Sequence, residues 1–304
     1  PEIKTPQIQE KPLIDKVYKN LDVWGNDSPL IGYSHPAYMV TSQRGYNRAS
    51  MDIDLSKIQM NAVFNNQEHK YIVPQITFRL EVFNTDGTLM ETANIGLSYN
   101  SAGDGKWHFV YKVYSNYYDN IYIGSSDDDV RDFYQWVICP VDINPKGNYR
   151  IIIDGSNEIG KCSVNLTDLK NGKSIFEKEF ELFYLDSSGS NIEISQLFFA
   201  QFGMGLYSEK TGTNYFGNPN YKSWNTSEGV INESNTIKNL YIKNMQISNI
   251  KISKEGDEYP WTEDINKKFG LWPSKYDDKV KHNILTVQSK KSGQEIIFDL
   301  NFNN

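Results

Sequence analysis

Short runs in which apolar and polar residues alternate recur along this 304-residue chain, separated by turns rich in Gly, Asn, Asp and Pro. Residues 71–83 form the clearest run. Because successive side chains of a strand point to opposite faces, a period of two predicts a strand with one face in the core. The polar face carries Gln75, Thr77, Arg79 and Glu81, and the apolar face carries Ile76, Phe78, Leu80 and Val82.

Residues 131–166 contain three strand-like runs separated by two turn signals. The first two runs are rich in aromatic and β-branched residues, and Pro145 and Gly147 lie in the reversal between them. A second turn begins at Asp154, before the third run. These features predict an antiparallel meander of three neighbouring strands. The runs span residues 136–141, 149–153 and 162–166.

Further runs of this kind continue to the C-terminus, interrupted by a long loop predicted over residues 203–227 and one short helix predicted over residues 262–269. The run that begins at Trp107 has large side chains on both faces, so both faces are predicted to be covered. The series predicts an all-β protein: an antiparallel β-sandwich or jelly roll with long decorated loops and at most one short helix. The runs span residues 51–55, 91–99, 107–114, 176–184, 191–202, 237–253, 284–288 and 295–302.

The chain is predicted to have two parts. Residues 1–21 contain three prolines and alternating charges, which is typical of an extended arm or linker. Residues 22–304 are interpreted as a single elaborated β-sandwich, because no Pro, Ser or Gly-rich linker divides the middle of the chain. Two tandem sandwiches are the alternative. The arm would also allow a homo-oligomer, by adding to the sheet edge of a neighbouring copy.

A resemblance emerges from Trp136, the turn after it and the strand from Tyr149 that ends in Asp154 and Gly155. This order resembles laminin-G-type and other concanavalin A-like jelly rolls, in which a Trp-led strand precedes a hairpin and a strand ending in Asp-Gly. The resemblance implies a jelly-roll fold.

The resemblance covers about residues 131–253, since residues 237–253 are similar to the closing strand of such domains. One feature departs from the pattern. The segment that begins at Gly105 and contains Trp107 is locally more similar to the Trp-led strand of these domains. It lies too far before Asp154 to fill that place without an insertion.

Composition narrows the partners. The net charge of -7 and the pI near 5.2 repel phosphate backbones, which argues against nucleic acid. No apolar run approaches the 18 residues of a membrane span. Cys139 and Cys162 would lie on the first and third strands of the meander, too far apart for a disulfide, so free buried thiols are predicted. A bond would form only if the third run folded beside the first.

A candidate ligand site lies in the predicted loop. Sugar sites combine flat apolar rings with amide groups that bind hydroxyls, and the loop region contains both. In the alternative interpretation, these rings only attach the loop to the sandwich. The candidate ligand-binding residues are Tyr207, Tyr215, Tyr221, Trp224 and Asn218.

A candidate calcium site is the acidic run Asp127, Asp128 and Asp129. Calcium prefers several oxygen ligands on a short segment, and jelly rolls of the resembled kind often carry such a site at a loop or rim. The alternative is a solvated acidic turn. Calcium is therefore the only cofactor considered, and none is certain.

Catalytic patterns are sparse. The four histidines show no zinc-ligand spacing, and Glu177, Glu179 and Glu181, although spaced like paired carboxylates, are better interpreted as an exposed charged face. A lyase-type base site would need a Tyr or His with Arg and Gln or Asn beside it. Residues of those types are Gln75, Arg79, His108 and Tyr111.

Three function classes follow in order. The first is an extracellular, lectin-like or adhesin-like protein that binds a polysaccharide or glycan through loop aromatics. The second is a structural subunit of a surface layer, phage tail or fibre, and the third is a jelly-roll polysaccharide lyase or glycoside hydrolase. An extracellular or cell-surface location agrees with four Asn-x-Ser/Thr sequons. These lie at Asn26, Asn165, Asn225 and Asn232.

Replacement of Trp224 by Ala tests the loop site. If Trp224 is an interface anchor, binding to a glycan should weaken by about 2 kcal/mol or more while the melting temperature changes little. Glycan titration and a thermal melt measure the two quantities. A variant that melts several degrees lower and still binds would show that Trp224 is a core residue.

Overall fold

The computed structural model describes residues 15–19, 37–65, 70–84, 89–101, 104–115, 137–155, 161–181, 192–208, 222–223, 239–272 and 283–302. Most of these residues lie in strands, and the helical segments among them are 3-10 helices of three residues. The predicted all-β class is confirmed. None of the helices in these ranges is long and apolar enough to cross a membrane.

The strands are numbered in chain order. They are β1 (Lys16–Lys19), β2 (Ala37–Ser42), β3 (Arg48–Asp54), β4 (Gln59–Asn61), β5 (Val63–Asn65), β6 (Lys70–Asn84), β7 (Leu89–Tyr99), β8 (Trp107–Ser115), β9 (Val137–Ile138), β10 (Asn148–Asp154), β11 (Lys161–Asp168), β12 (Lys173–Glu181), β13 (Ile192–Ser208), β14 (Lys222–Ser223), β15 (Tyr241–Lys254), β16 (Asp257–Pro260), β17 (Asn266–Trp272), β18 (Leu285–Lys290) and β19 (Glu295–Asn301).

Two antiparallel sheets contain these strands. Sheet 1 has the order β1-β18-β19-β15-β3-β10-β11-β12, and β4 and β16 also pair with β15. Sheet 2 has the order β17-β2-β13-β6-β7-β8-β9, with β5 beside β6 and β14 beside β13. The predicted β6-β7-β8 meander is confirmed, because each strand pairs with the next.

The inward faces of the two sheets meet in one apolar core. On β6, Ile76, Phe78 and Leu80 are completely buried, as their alternation predicts, and the inward residues of β10 and β11 belong to the same cluster. Rings from the two sheets touch directly: the centroids of Phe109 and Phe176 are 5.5 Å apart in an edge-to-face contact. This packing is that of a β-sandwich.

The outer face of sheet 2 is buried as well around the middle of β6, β7 and β8. Gln75, Thr77 and Ser98 are at most 2 % exposed, and the Gln75 amide Nε2 donates to Ser98 Oγ at 3.4 Å. Val110 is also fully buried, which confirms that both faces of β8 are covered. Polar side chains in this position need partners within the protein, because water does not reach them.

The predicted hairpin between residues 136–141 and 149–153 is wrong. The first run forms only β9, which pairs with β8 in sheet 2, whereas β10 lies in sheet 1. The segment between them therefore crosses from one sheet to the other. The turn at Pro145 and Gly147 lies within this crossing, where the Gly147 N–H donates to the carbonyl of Asn144 at 2.8 Å.

Tyr149 holds the end of this crossing. Its hydroxyl accepts a hydrogen bond from the Asn144 backbone N–H at 2.8 Å, and its burial raises the pKa of the phenol. The second half of the predicted meander is confirmed, since β10 pairs with β11. Cys139 and Cys162 are free and buried, as predicted, but because they lie beside different sheets rather than apart in one.

Two element predictions near the C-terminal half are wrong. The long loop does not begin at Gly203, because β13 continues to Ser208 and pairs along its length with β6. The helix over residues 262–269 is replaced by the 3-10 helix Glu263–Ile265 and by β17, which pairs with β2. Pairing with a distant strand outweighs the local helix propensity of this segment.

The strand β1 forms one edge of sheet 1 and belongs to the segment predicted as an arm. It pairs with β18 of its own chain. The Glu263 carboxylate fastens it, accepting hydrogen bonds from Lys16 Nζ, from Tyr18 Oη at 3.1 Å and from Ser289 Oγ at 3.0 Å. Burial and this carboxylate raise the pKa of Tyr18.

Gly96 on β7 tests how closely β6 and β7 approach. A Cβ atom at this position would lie 1.9 Å from the carbonyl oxygen of Ile76, so Gly96→Ala should lower the free energy of unfolding by at least about 2 kcal/mol. Urea unfolding measures this loss. Gly172→Asn is the control, because Gly172 has a φ of +67° that Asn tolerates and nothing within 4 Å. Equal losses in both variants would contradict the close approach.

Candidate functional site

Most of the predicted site residues lie outside the described residues. These are Tyr215, Asn218, Tyr221, Trp224 and the acidic run Asp127, Asp128 and Asp129. Tyr207 belongs to β13, where its backbone pairs with Tyr71 and Ser223. Within the part of the chain that the structure describes, no group of three or more His, Cys, Asp or Glu is placed to bind a metal ion. The loop and calcium sites stay predictions.

A polar groove lies on the outer face of sheet 1, where β15, β18 and β19 run side by side. Its volume is about 320 Å³. Amide, hydroxyl, ammonium and carboxylate groups all contribute to its walls, which suits it to a hydroxyl-rich ligand. The lining residues are Lys243, Asn244, Asn283, Ile284, Thr286, Asp299 and Asn301.

Strand alternation places these polar groups outward. On β18, Leu285 and Val287 are buried in the core, so Thr286 between them points away from it. On β19, Asp299 and Asn301 alternate in the same way around buried Leu300. Thr286 and Asp299 are directly opposite each other in the β18-β19 register, so they share one face of the sheet.

Two irregularities in β15 shape the groove. The pairing register shifts between Ile242 and Met245 against β19, and again between Ser248 and Lys251 against β3. An Asn with positive φ lies at each shift, and another precedes the strand. Asn populates this conformation more readily than most residues, so it suits a bulge. The three are Asn239 (φ 62°), Asn244 (φ 57°) and Asn249 (φ 49°).

The first bulge joins β15 to the groove floor. The Asn244 backbone N–H donates to Asp299 Oδ1 at 2.7 Å, which fixes the orientation of that carboxylate. Bulges of this kind re-aim side chains and recur beside binding sites. Lys243 and Asn244 consequently both reach the groove, although they are consecutive residues.

An aromatic ring borders the groove. Tyr241 on β15 is directly opposite Asn301 on β19 and Asn61 on β4, so the three residues share the outer face of the sheet. The Lys243 Nζ lies 5.2 Å from the centroid of the Tyr241 ring. A flat ring, two amides and an ammonium group are therefore neighbours at one end of the groove.

The rest of the outer face of sheet 1 carries charges that pair with one another. Arg150 donates to both carboxylate oxygens of Asp52, at 2.7 and 2.9 Å. Glu258 accepts from Arg48 at 2.8 Å and from Lys251 at 2.9 Å, and these bonds, first that from Lys251, lower its pKa. These ion pairs link β3, β10, β15 and β16 across the surface.

The four residues considered for a lyase site do not come together. Gln75 and His108 both lie opposite Ser98 in register, on the outer face of sheet 2, whereas Tyr111 faces the core. The Tyr111 hydroxyl accepts from Lys178 Nζ at 2.9 Å, and the same ammonium lies 4.8 Å from the ring centroid. His108 Nε2 is 2.8 Å from Asp104 Oδ2 in the turn beside it.

The acidic strand β12 is an exposed charged face, as interpreted from the sequence. Glu177 accepts a hydrogen bond from Asn165 Nδ2 at 2.7 Å and from Ser174 Oγ at 3.2 Å. Glu179 lies 3.8 Å from Lys161 Nζ and is 62 % exposed. Such exposed pairs contribute little to stability and show no arrangement for glycoside hydrolysis.

Sequence reasoning missed the groove because its residues come from distant strands. One signal was present in the segment interpreted as a closing strand: Asn239, Asn244 and Asn249 recur every five residues within it. A period of five fits neither a strand nor a helix, and it marks the positions where β15 departs from regular pairing.

Comparisons with known proteins assign no family. No protein-family model matches the chain, and no curated protein is significantly similar to it in sequence. Some solved structures share a limited likeness. Full-length tailspike protein 2 from Escherichia coli O157:H7 bacteriophage CAB120 is 10% identical over 72% of this chain and 21% of its own, with a TM-score of 0.31.

The two other structures are equally distant. The enzymatically active domain of bacteriophage CBA120 tailspike protein 2 is 11% identical over 73% of this chain and 24% of its own, with a TM-score of 0.31. The native heptameric SAP-like pentraxin from Limulus polyphemus is 11% identical over 63% of this chain and 74% of its own, with a TM-score of 0.25. The chain thus spans about a fifth to a quarter of the two tailspike chains, 21% and 24%. None of these comparisons identifies the concanavalin A-like superfamily.

Replacement of Asn244 tests the bulge beneath the groove. Asn244→Val places a β-branched residue at a φ of 57°, which should lower the free energy of unfolding by about 1–2 kcal/mol. Asn244→Gly keeps this backbone conformation accessible and is expected to cost less than half as much. Urea denaturation of both variants provides the measurement. A Val variant as stable as the Gly variant would be inconsistent with a left-handed residue at this position.

Proposed function

We propose that the chain is a carbohydrate-binding β-sandwich protein, similar in action to a lectin or adhesin, and that the groove between β15, β18 and β19 binds the sugar. The observation that carries this proposal is Tyr241 beside a groove lined by amide, hydroxyl and carboxylate groups. A ring offers an apolar platform for the face of a pyranose, and the polar groups bind its hydroxyls.

The groove groups have complementary roles in this proposal. The Asp299 carboxylate is held by the Asn244 backbone N–H, so it is already oriented to accept hydrogen bonds from sugar hydroxyls. The amides of Asn244, Asn283 and Asn301 carry both donors and acceptors, as hydroxyls require. Because these residues lie on strands and short turns, the site loses little conformational entropy on binding.

The lining favours binding over glycoside hydrolysis. Glycosidases of the common type place two carboxyl groups on either side of the bond that breaks. Among the described residues that line the groove, Asp299 supplies the single carboxylate. A structural subunit that extends its arm to a neighbouring copy gains no support from β1, which pairs with its own chain.

The proposal includes the extracellular or cell-surface location predicted from the sequence, where polysaccharides are encountered. Of the four sequons, Asn165 lies in the described part of the chain, on β11. Its amide Nδ2 donates to Ser174 Oγ and Glu177 Oε1, both at 2.7 Å. A glycan at Asn165 would therefore have to displace both hydrogen bonds.

A glycan array followed by titration of the best glycan tests the proposal. Tyr241→Ala should weaken binding by at least about tenfold, because the ring is the platform of the site. Tyr259→Ala is the matched control, since Tyr259 is an exposed Tyr on β16 of the same sheet, 43% exposed, and is not among the groove residues. Its affinity should stay within about twofold of the unmodified protein.

Two results would contradict this proposal in different ways. Absence of binding to every glycan of the array would argue against a carbohydrate-binding function. Binding that is lost in Trp224→Ala but unchanged in Tyr241→Ala would retain the function and move the site to the loop of residues 203–227.

A further inference from the structure

Resting on the proposed function, we infer that the groove selects sugars that carry an anionic group, and that Lys243 and Lys19 supply the positive charge. The inference begins with the register of sheet 1. Lys19 on β1 is opposite Thr286 on β18, which is opposite Asp299 on β19. Cross-strand partners share a face, so Lys19 lies on the same face as the groove.

The charge of this region differs from that of the whole chain. The protein carries a net charge of -7, yet the strip from Lys19 to Lys243 contains two lysines and one acidic residue, Asp299. The Asn244 N–H already donates to Asp299, which offsets part of its negative charge. The strip therefore presents a local excess of positive charge to a ligand.

Other lysines of sheet 1 have acidic partners. Lys16 pairs with Glu263, Lys251 pairs with Glu258 at 2.9 Å, and Lys161 lies 3.8 Å from Glu179. Lys243 instead lies over the Tyr241 ring, and within the described ranges neither it nor Lys19 has a carboxylate at ion-pair distance. Their charges are thus available to an anionic ligand without loss of an existing ion pair.

The two lysines are separated along the ligand path. Three strand spacings lie between β1 and β15, which amounts to about 14 Å between their backbones. A ligand that contacts both lysines must therefore be an oligosaccharide, and one with more than one anionic residue fits best. Because an ammonium is a point charge, it binds a carboxylate or a sulfate equally well, so the inference concerns the anionic class.

Calorimetric titration with three probes tests this inference. The probes are a hexagalacturonate, the same oligosaccharide with its carboxyl groups reduced to hydroxymethyl groups, and a sulfated hexasaccharide. We expect at least one anionic probe to bind about tenfold or more tightly than the reduced probe. Its affinity should also fall as NaCl is raised, because salt screens exposed charges.

Three variants assign the charge to its residues. Lys243→Gln should weaken binding of the anionic probe by about tenfold and leave binding of the reduced probe within about twofold. Lys19→Gln should act in the same direction with a smaller effect. Lys170→Gln is the control, since Lys170 is an exposed residue of the β11-β12 turn, on strands well separated from the groove. It should change neither affinity.

Each outcome has a separate meaning. Preference for the carboxylated or for the sulfated probe supports the inference and identifies the anionic group. Equal binding of all three probes, reduced by Tyr241→Ala but not by Lys243→Gln, would overturn the inference and retain the proposed function. Failure of every probe and of every array glycan to bind would overturn both.

Discussion

Burial of the inward-facing side chains between two antiparallel sheets is the interaction on which the other features depend. Each large apolar side chain removed from water contributes about 1.5–3 kcal/mol, and the inward faces contain Ile, Leu, Val, Phe and Met almost throughout. Phe109 and Phe176 make the contact between sheets explicit. Lys178 shows how the rule is extended at the margin, because its ammonium reaches Tyr111 across the same space.

The groove depends on this core indirectly, through β15. That strand pairs with β19 and β4 near its start and with β3 and β16 near its end, so it must follow partners on both sides. Its inward residues Ile242, Met245 and Ile247 stay fully buried only because an extra residue is accommodated between the first two. The bulge that keeps the core intact is the same bulge that turns Lys243 and Asn244 into the groove.

Alternation along single runs determined much of this protein from the sequence. It identified the all-β class, the inward face of β6, the β6-β7-β8 meander and the exposed acidic face of β12, each a property of neighbouring residues. The buried, free state of Cys139 and Cys162 followed as well. Side-chain direction in a strand is local, so a period of two suffices to predict it.

Tertiary structure alone decided which strands are neighbours. Residues 136–141 and 149–153 look like a hairpin, yet they join different sheets, and the helix propensity of residues 262–269 yields to pairing between β17 and β2. The groove likewise joins Tyr241 to Asn301, 60 positions apart in the sequence. Burial depends on surfaces brought together from distant parts of the chain, and a local pattern records only that a face is apolar, not which face will cover it.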